Sequence, residues 1–279
     1  MLKYLIPLGT ALMGMYTVSQ IKTQYYFAPT HDIMEDLTDP GRLPYGNLMI
    51  HDVVSNSSRL ETTRLHARHY LAGPDTDLIL FIHGNGGNLT YRQDQYQIFH
   101  QLGYQVLAFD YRGYGQSTGN PSEKHMYQDA ETVWDYLIRS GYTPEKLIVY
   151  GESIGCAVAS HLASQRPVKR LILQSGFNRL ANVAHHLIGG PQRLWKLLCP
   201  EFPTECFLRE AIQKHHPRIL ILHSLGDELI PHKLRPRIPH EKNIHEHQLQ
   251  GGHNSPDLGE EYQDALIQFL RPNNPNNPK

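Results

Sequence analysis

A serine flanked by glycines, in the run Gly151-Glu152-Ser153-Ile154-Gly155, is the residue of this chain best placed to act as a nucleophile. The apolar run before it predicts a buried strand, and the small residues after it predict a helix packed closely on a sheet. On a sharp turn from strand to helix, a serine hydroxyl is pushed clear of the sheet and lies at the positive end of the helix. The pattern taken alone is also compatible with a Gly-Ser turn that does no chemistry.

A serine nucleophile needs a base to take its proton and an acid to orient that base. Asp227 follows one apolar, strand-like run, and His253 lies in a glycine-containing loop after another. Both therefore lie just beyond predicted strand ends, in the chain order serine, acid, histidine. Glu228 is a competing acid, but Gly226 allows a tight turn before Asp227, which favours Asp227.

Attack on a carbonyl also needs two N–H donors for the oxygen that becomes negative. One is the backbone N–H of Ile154, at the start of the predicted helix. The other is expected from the loop His-Gly-Asn-Gly-Gly-Asn at 83–88, whose glycines leave backbone N–H groups accessible. Asn85 is the predicted donor and Gly86 the alternative. A phosphate-binding loop is disfavoured, because the Gly-Lys-Ser/Thr ending and the G-x-G-x-x-G pattern with an acidic partner are missing.

The elements that must position these residues alternate along the chain. Apolar runs predict strands, and 3.6-residue periodicity with caps predicts helices. The predicted strands are 48–54, 63–71, 78–82, 104–109, 147–150, 171–173, 218–222 and 244–250, and the predicted helices are 92–102, 122–139, 156–163 and 260–270. Strands that alternate with helices indicate an α/β fold with a mostly parallel sheet covered on both faces. The first two strands, joined by Ser55-Asn56-Ser57-Ser58, predict an antiparallel hairpin at one edge.

The range 177–216 interrupts this alternation and is rich in apolar residues. It is interpreted as a small helical cap over the site, as an amphipathic pair packed on the core, or as both. The predicted organisation is an apolar anchor or signal segment at 1–22, a connector at 23–45, the main domain at 46–270 and a disordered tail at 271–279.

The N-terminal segment has an uncharged, largely apolar run from Tyr4 to Ile21 between Lys3 and Lys22. Its length is at the lower limit for a membrane-spanning helix, and Pro7 weakens it. A membrane anchor is the favoured interpretation. A cleaved signal peptide, with a secreted or periplasmic protein, and a soluble core helix are the alternatives.

Composition excludes several classes of protein. The net charge is −1, without a basic stripe, which argues against nucleic acid as a partner. The 18 histidines are scattered without metal-ligand spacing, so no metal is expected. Three cysteines give no even disulfide set; Cys199 and Cys206 form one bridge or remain free thiols, and Cys156 is expected to be buried.

Five motifs together resemble the α/β-hydrolase superfamily. They are H-G-N-G-G-N at 83–88, D-Y-R-G-Y-G-Q-S-x-G at 110–119, G-E-S-I-G at 151–155, D-E-L-I-P at 227–231 and G-G-H-N at 251–254. The likeness runs from about residue 45 to 270. It is strongest to the N-terminally anchored serine hydrolases, a branch with protein depalmitoylases and lysophospholipid or monoacylglycerol lipases.

The resemblance implies an α/β-hydrolase fold with Ser153 as nucleophile, Asp227 as acid and His253 as base, and no metal or organic cofactor. It implies a bracing role for Asp110, Arg112 and Tyr114, and the aromatic-Pro segment Tyr25-Tyr26-Phe27-Ala28-Pro29 is also similar to the family. One departure is Ser224, where relatives often carry glycine.

The predicted function is hydrolysis of a carboxylic ester or thioester through an acyl-enzyme on Ser153. An apolar cap favours an acyl or lipid-like substrate, although the fold itself does not fix the substrate. A small peptidase of the same fold and a non-catalytic binding or scaffold protein are the alternatives. Epoxide and haloalkane hydrolases are excluded, because they carry aspartate at the position of Ser153.

Overall fold

The structure is a computed structural model that describes residues 27–34, 43–56, 59–73, 75–238 and 242–271 of the 279-residue chain. The predicted anchor at 1–22, much of the predicted connector and the predicted tail from residue 272 onward lie outside these residues. Within them, no helix is both long and apolar enough to cross a membrane.

An eight-stranded sheet runs through the centre of the described residues. Its strands are β2 (Gly46–Asn56), β3 (Arg59–Tyr70), β4 (Leu78–Ile82), β6 (Gln105–Phe109), β7 (Leu147–Glu152), β8 (Arg170–Gln174), β9 (Arg218–Ser224) and β10 (Ile244–Leu249). The order is β10-β9-β8-β7-β4-β6-β3-β2, in which β10 to β6 run parallel and β3 and β2 are antiparallel. A separate parallel pairing joins β1 (Ala28–Pro29) to β5 (Gly86–Gly87). The predicted fold class, mostly parallel with an antiparallel hairpin at one edge, is confirmed.

Helices cover both faces of the sheet. They are α1 (Gln93–Gln101), α2 (Glu123–Arg139), α3 (Ile154–Gln165), α4 (Leu180–Ile188), α5 (Gln192–Leu198), α6 (Thr204–His215) and α7 (Glu260–Leu270). The start of α2 is set by Ser122, whose hydroxyl oxygen accepts the backbone N–H of His125 at 3.1 Å.

Alternate side chains of each buried strand point to opposite faces and meet different helices. On β4, Leu80 belongs to the core layer that contains α2, α3 and α6, whereas Phe81 belongs to the layer that contains α1 and α7. All five side chains of β4 are buried, because a parallel strand in the middle of such a sheet has no solvent face.

The hairpin is longer than predicted. β2 and β3 pair from Gly46↔His69 to Asn56↔Arg59, so only residues 57 and 58, which lie outside the described part, join the strands. Polar residues such as Arg59 and Glu61 gave no apolar strand pattern at this end, although backbone pairing continues through them.

The range 177–216 contains three helices with two different environments. Helix α6 packs on α3 and thus covers the sheet, whereas α4 and α5 pack on each other. Cys199 is buried and Cys206 exposed, and neither they nor the buried Cys156 form a disulfide.

Candidate active site

Ser153 lies on a strained turn between β7 and α3. Its backbone has φ 54° and ψ −117°, a conformation that residues other than glycine rarely adopt. The flanking glycines are needed for space. A Cβ on Gly151 would lie 2.5 Å from the carbonyl oxygen of Gly155, and one on Gly155 would lie 2.2 Å from that of Ile82. The close approach of α3 to the sheet therefore fixes where the hydroxyl emerges.

His253 links Ser153 to Asp227 across three separate loops. Its Nε2 lies 3.0 Å from the Ser153 Oγ, and its Nδ1 lies 2.8 Å from Oδ2 of Asp227. An ionised carboxylate can only accept, so Nδ1–H donates to Asp227 and Nε2 accepts the serine hydroxyl. The structure thus brings together the three residues predicted from chain order, and we call this arrangement the relay.

The carboxylate of Asp227 is held on both oxygens and is 4% exposed. While Oδ2 meets the imidazole, Oδ1 accepts the backbone N–H groups of Leu229 (3.1 Å) and Ile230 (2.6 Å). The competing acid, Glu228, contacts the backbone instead, where its Oε2 accepts the N–H of His253 at 3.0 Å. This hydrogen bond lowers the pKa of the Glu228 carboxyl. Asp227, and not Glu228, is therefore the carboxylate hydrogen-bonded to the imidazole.

Close backbone approach also explains the glycines around this acid. A Cβ on Gly226 would lie 2.9 Å from the carbonyl oxygen of Gly251, which itself has φ +89°. Ser224 donates its hydroxyl to the carbonyl of Gln250 at 3.2 Å. It thereby ties the end of β9 to the loop that carries His253.

Both predicted oxyanion donors lie on the wall of the pocket that contains Ser153. Ile154 begins α3, so its N–H has no partner within the helix. The side-chain oxygen of Asn85 accepts the Tyr114 hydroxyl at 2.9 Å and the Ala28 N–H at 3.3 Å. The predicted alternative, Gly86, pairs with Ala28.

Residues 27–34, which we call the strap, lie across this loop. Asn88 donates its side-chain amide to the carbonyls of Thr30 (3.2 Å) and Asp32 (2.7 Å), and the Met34 N–H donates to Thr90 Oγ1 at 2.9 Å. Phe27 is buried in the main core. The chain that precedes the sheet therefore braces the loop that carries Asn85.

A partly buried ion pair, which we call the clamp, joins the same loop to the serine turn. Arg92 donates Nε to Oε2 of Glu152 at 2.8 Å and an NH2 group to Oε1 at 3.0 Å. It also donates to the carbonyl of Gly86 at 2.7 Å. Burial alone would lower the pKa of Arg92 and raise that of Glu152. The charge of each partner outweighs burial, so the pKa of Arg92 is raised, the pKa of Glu152 is lowered, and both side chains remain ionised.

Sequence reasoning did not identify the clamp. Its two members are separated by 60 residues, so no local spacing marks them. A usable signal was chemical, because Glu152 lies between the end of a predicted buried strand and the serine, where a buried carboxylate needs a partner.

Asp110 contacts both ends of the glycine-rich loop at 83–88. Its Oδ1 accepts the Leu89 N–H at 2.7 Å, and its two oxygens lie 3.4 Å from His66 Nδ1 and 3.5 Å from His83 Nε2. Burial raises its pKa, but these donors outweigh burial and lower the pKa to about 2. Arg112, from the same motif, is paired with the buried Asp129.

The hydroxyl of Ser153 faces a cavity of about 650 Å³. Its lining includes polar side chains such as Arg92, Asp94 and Gln174 and a larger set of apolar ones. The apolar lining residues are Phe177, Leu180, Val183, Leu187, Leu229, Ile230 and Leu258. Among the described residues, no group of three or more His, Cys, Asp or Glu side chains is arranged to hold a metal ion.

Comparison with known proteins identifies the family to which this geometry corresponds. Residues 77–198 match the model of the alpha/beta hydrolase fold. An uncharacterised protein of Mycobacterium tuberculosis, MT2364, is 35% identical over 208 residues, which is 72% of each chain. The lysophosphatidylserine lipase ABHD12 of Bos taurus is 35% identical over 173 residues, 56% of this chain but only 43% of the lipase.

Solved structures agree on the fold. An esterase of Pyrococcus furiosus, Pf2001, superposes with a TM-score of 0.64 at 18% identity and covers 88% of this chain and 97% of its own. An alpha-beta hydrolase of Vibrio vulnificus has a TM-score of 0.61 at 23% identity, with 80% and 81% covered.

Proposed function

The chain belongs to the α/β-hydrolase family, and from that premise we propose that it is a serine hydrolase that cleaves carboxylic esters or thioesters. The observation that carries the proposal is the relay, in which Ser153, on a strained turn facing a cavity, is hydrogen-bonded to His253 and through it to Asp227.

In the first half of the reaction, Ser153 Oγ attacks the acyl carbon while His253 Nε2 takes its proton. Asp227 keeps the imidazole in the tautomer that can accept, and stabilises it once it is protonated. The N–H groups of Ile154 and Asn85 hold the oxygen that becomes negative, each worth roughly 10²–10³ in rate. His253 then gives the proton to the leaving alcohol or thiol, and the acyl group remains on Ser153.

In the second half, water takes the place of the serine. His253 removes a proton from the water as it attacks the acyl-enzyme, and the oxyanion donors act again. Collapse of the tetrahedral intermediate breaks the bond to Ser153, whose oxygen recovers a proton from His253. The products are a carboxylic acid and the alcohol or thiol, and every proton is moved by the relay.

The mixed lining of the cavity supports an acyl substrate with a polar leaving group. Leu180, Val183 and Leu187 provide apolar contacts for an acyl chain, and Arg92 and Asp94 provide charged groups for a polar leaving group. A relative named a lysophosphatidylserine lipase fits this class of substrate.

A fluorophosphonate probe tests the nucleophile directly. We expect the wild-type chain to be labelled and Ser153→Ala to remain unlabelled, with ester hydrolysis reduced by roughly 10⁴–10⁶-fold. Ser160→Ala is the matched control, because that hydroxyl lies in the same helix but donates to the Cys156 carbonyl at 2.7 Å. A folded wild-type chain that is not labelled, or labelling that survives Ser153→Ala, would favour a binding or scaffold protein.

A substrate panel distinguishes the proposed class from a peptidase. We expect p-nitrophenyl esters of medium and long acyl chains, and acyl thioesters, to be hydrolysed with higher kcat/KM than acetate. A preference for aminoacyl p-nitroanilides over every ester would instead assign a small peptidase.

The apolar run at 4–21 supports a second proposal, that residues 1–22 hold the protein on a membrane. We expect full-length protein to stay in the membrane fraction after a high-salt wash and protein that lacks residues 1–22 to be released. Equal behaviour of the two forms would contradict an anchor.

A further inference from the structure

Helices α4 and α5, beside the cavity, carry apolar side chains that no other part of the described structure covers. Leu187, Ile188, Leu194 and Leu197 are 51%, 68%, 44% and 70% exposed. The inward-facing residues of this pair already form their own small cluster around Cys199 and Trp195. The exposed side chains are therefore additional to those the helices need for packing, and they lie within eleven consecutive residues. We call the exposed side chains of Leu187, Ile188, Arg193, Leu194, Lys196 and Leu197 the outer face.

The outer face is positively charged. No Asp or Glu occurs between Ser153 and Pro200, whereas Arg193 and Lys196 lie on α5 and His185 and His186 on α4. Within the described residues, neither Arg193 nor Lys196 is paired with a carboxylate. Because the whole chain has a net charge of −1, this positive region is local and suits an anionic partner.

The outer face continues into the cavity. Leu180, Val183 and Leu187 on α4 line the same cavity as Ser153, and Leu187 is also half exposed to solvent. An acyl chain that left an apolar phase against this face would enter the cavity without crossing water. This step rests on the proposed hydrolase function.

We propose that the outer face docks on an anionic lipid surface. Aliphatic side chains next to Lys and Arg are typical of helices that lie in the headgroup region, where the cations add electrostatic attraction. The core of a protein–protein interface is instead depleted in lysine and enriched in aromatic residues. The occupant that matches both the apolar side chains and the charge is a bilayer with acidic headgroups.

Trp195 makes the proposal measurable in the full-length chain. Of the two tryptophans, Trp134 is 2% exposed in the core, whereas Trp195 is partly exposed and lies on α5, next to the exposed Leu194. We would use the Ser153→Ala chain with vesicles of brominated phosphatidylcholine, with and without phosphatidylserine. We expect quenching of Trp195 that requires phosphatidylserine and is relieved by salt, because attraction to anionic lipid is screened.

Two variants of the outer face test its two components. Arg193→Gln/Lys196→Gln should weaken the equilibrium constant for docking of the outer face on phosphatidylserine vesicles, measured by Trp195 quenching, by roughly 30-fold, the combined effect of two cations, whether or not residues 1–22 already hold the chain on the vesicle. Arg139→Gln/Lys169→Gln removes two exposed cations elsewhere and should change it little. Ile188→Ser/Leu197→Ser, at residues that do not line the cavity, should abolish quenching. Quenching that is equal without phosphatidylserine, or unchanged in both outer-face variants, would overturn the proposal.

Further readouts separate this proposal from the others. In the otherwise wild-type chain, Arg193→Gln/Lys196→Gln should hydrolyse a short soluble ester at an unchanged rate but a vesicle-embedded ester more slowly. Quenching without any hydrolysis would retain the docking face and reject the hydrolase function. If Ile188→Ser/Leu197→Ser changes the oligomeric state while vesicle quenching is never seen, the face binds a second copy of the chain and the lipid proposal fails.

Discussion

Arg92 sets the geometry around Ser153 without belonging to the relay. Its planar guanidinium donates to both oxygens of Glu152 and, from the same group, to the Gly86 carbonyl. One rigid fork thus fixes the distance between the serine turn and the loop proposed to hold the oxyanion. We assign it a positioning role, since it acts on the site through these two backbone segments.

Arg92→Lys should lower kcat by roughly 10- to 100-fold with a smaller change in KM. Lysine is a point charge that cannot keep the bidentate contact and the Gly86 contact together, and a small displacement of reacting groups has effects of this size. Steady-state kinetics on a soluble ester measure the split.

The matched control is Arg166→Lys, because Arg166 makes a similar fork with Asp135, at 3.0 Å on both contacts, at the far end of α3. It should retain the wild-type kcat. Equal losses in the two variants would mean that Arg92 serves only overall stability.

At this scale the sequence revealed the relay but not the clamp. The relay could be predicted because each of its members follows a strand, and parallel strand ends meet at one edge of the sheet. Arg92 lies at the end of a short 3₁₀ turn before α1, where a cation has no distinguishing pattern. Its role depends on a partner that only the tertiary fold brings near.

Among the elements, α3 is the most closely packed on the sheet, and Gly155 makes this possible. Gly155→Ala should destabilise the protein by about 1–3 kcal/mol or more, because the added methyl group would overlap the Ile82 carbonyl and force α3 away. Chemical denaturation measures the free energy of unfolding. Gly46→Ala, where a Cβ meets nothing within 4 Å, should cost far less; a similar loss there would contradict the steric argument.

His161 on α3 makes stability depend on pH. It is stacked on Tyr127 of α2, with ring centroids 4.2 Å apart, and meets the edge of Phe207 of α6 at 4.9 Å. Burial lowers its pKa from 6.5 to about 4, although Glu210 opposes the shift. Between these values the unfolded chain binds a proton that the folded chain does not, so stability falls as the pH falls from 6.5 to about 4.

We expect this histidine to contribute about 2–3 kcal/mol to the loss of unfolding free energy over that range. His161→Phe keeps an aromatic ring in the stack but cannot be protonated, so its unfolding free energy should depend less on pH there. Urea titrations at a series of pH values test this, and an unchanged pH dependence in the variant would show that other groups cause it.

Element prediction succeeded where burial imposes a pattern and failed where it does not. β4 is a continuous apolar run because both its faces are covered. The pairing of β1 with β5 could not be predicted, because two residues are too few to show any period. In 177–216, apolar residues that cover the sheet from α6 could not be distinguished from those near the cavity, since both sets are equally apolar.

On the scale of the whole molecule, the strap connects the start of the described chain to the site. The Ala28 N–H and the Asn88 side chain bind it to the loop that carries Asn85. We expect a chain that lacks residues 1–22 to keep its kcat on soluble esters, whereas loss of residues 1–34 should reduce kcat by roughly 10- to 100-fold.

Circular dichroism on both truncated chains accompanies the kinetics, so that a loss of folding is not mistaken for a loss of positioning. Equal kcat values for the two forms would show that the loop holds its shape without the strap.

The short segment between residue 22 and the strap also limits the distance between residues 1–22 and the active site. Lys22 and Ala28 are six peptide steps apart, which spans at most about 20 Å when fully extended. A bilayer that held residues 1–22 would therefore keep the active site close to its surface. The protein could then reach only lipids near its own point of attachment. Tension on residues 22–27 would act first on Phe27 in the core and then, through the Ala28 N–H, on Asn85.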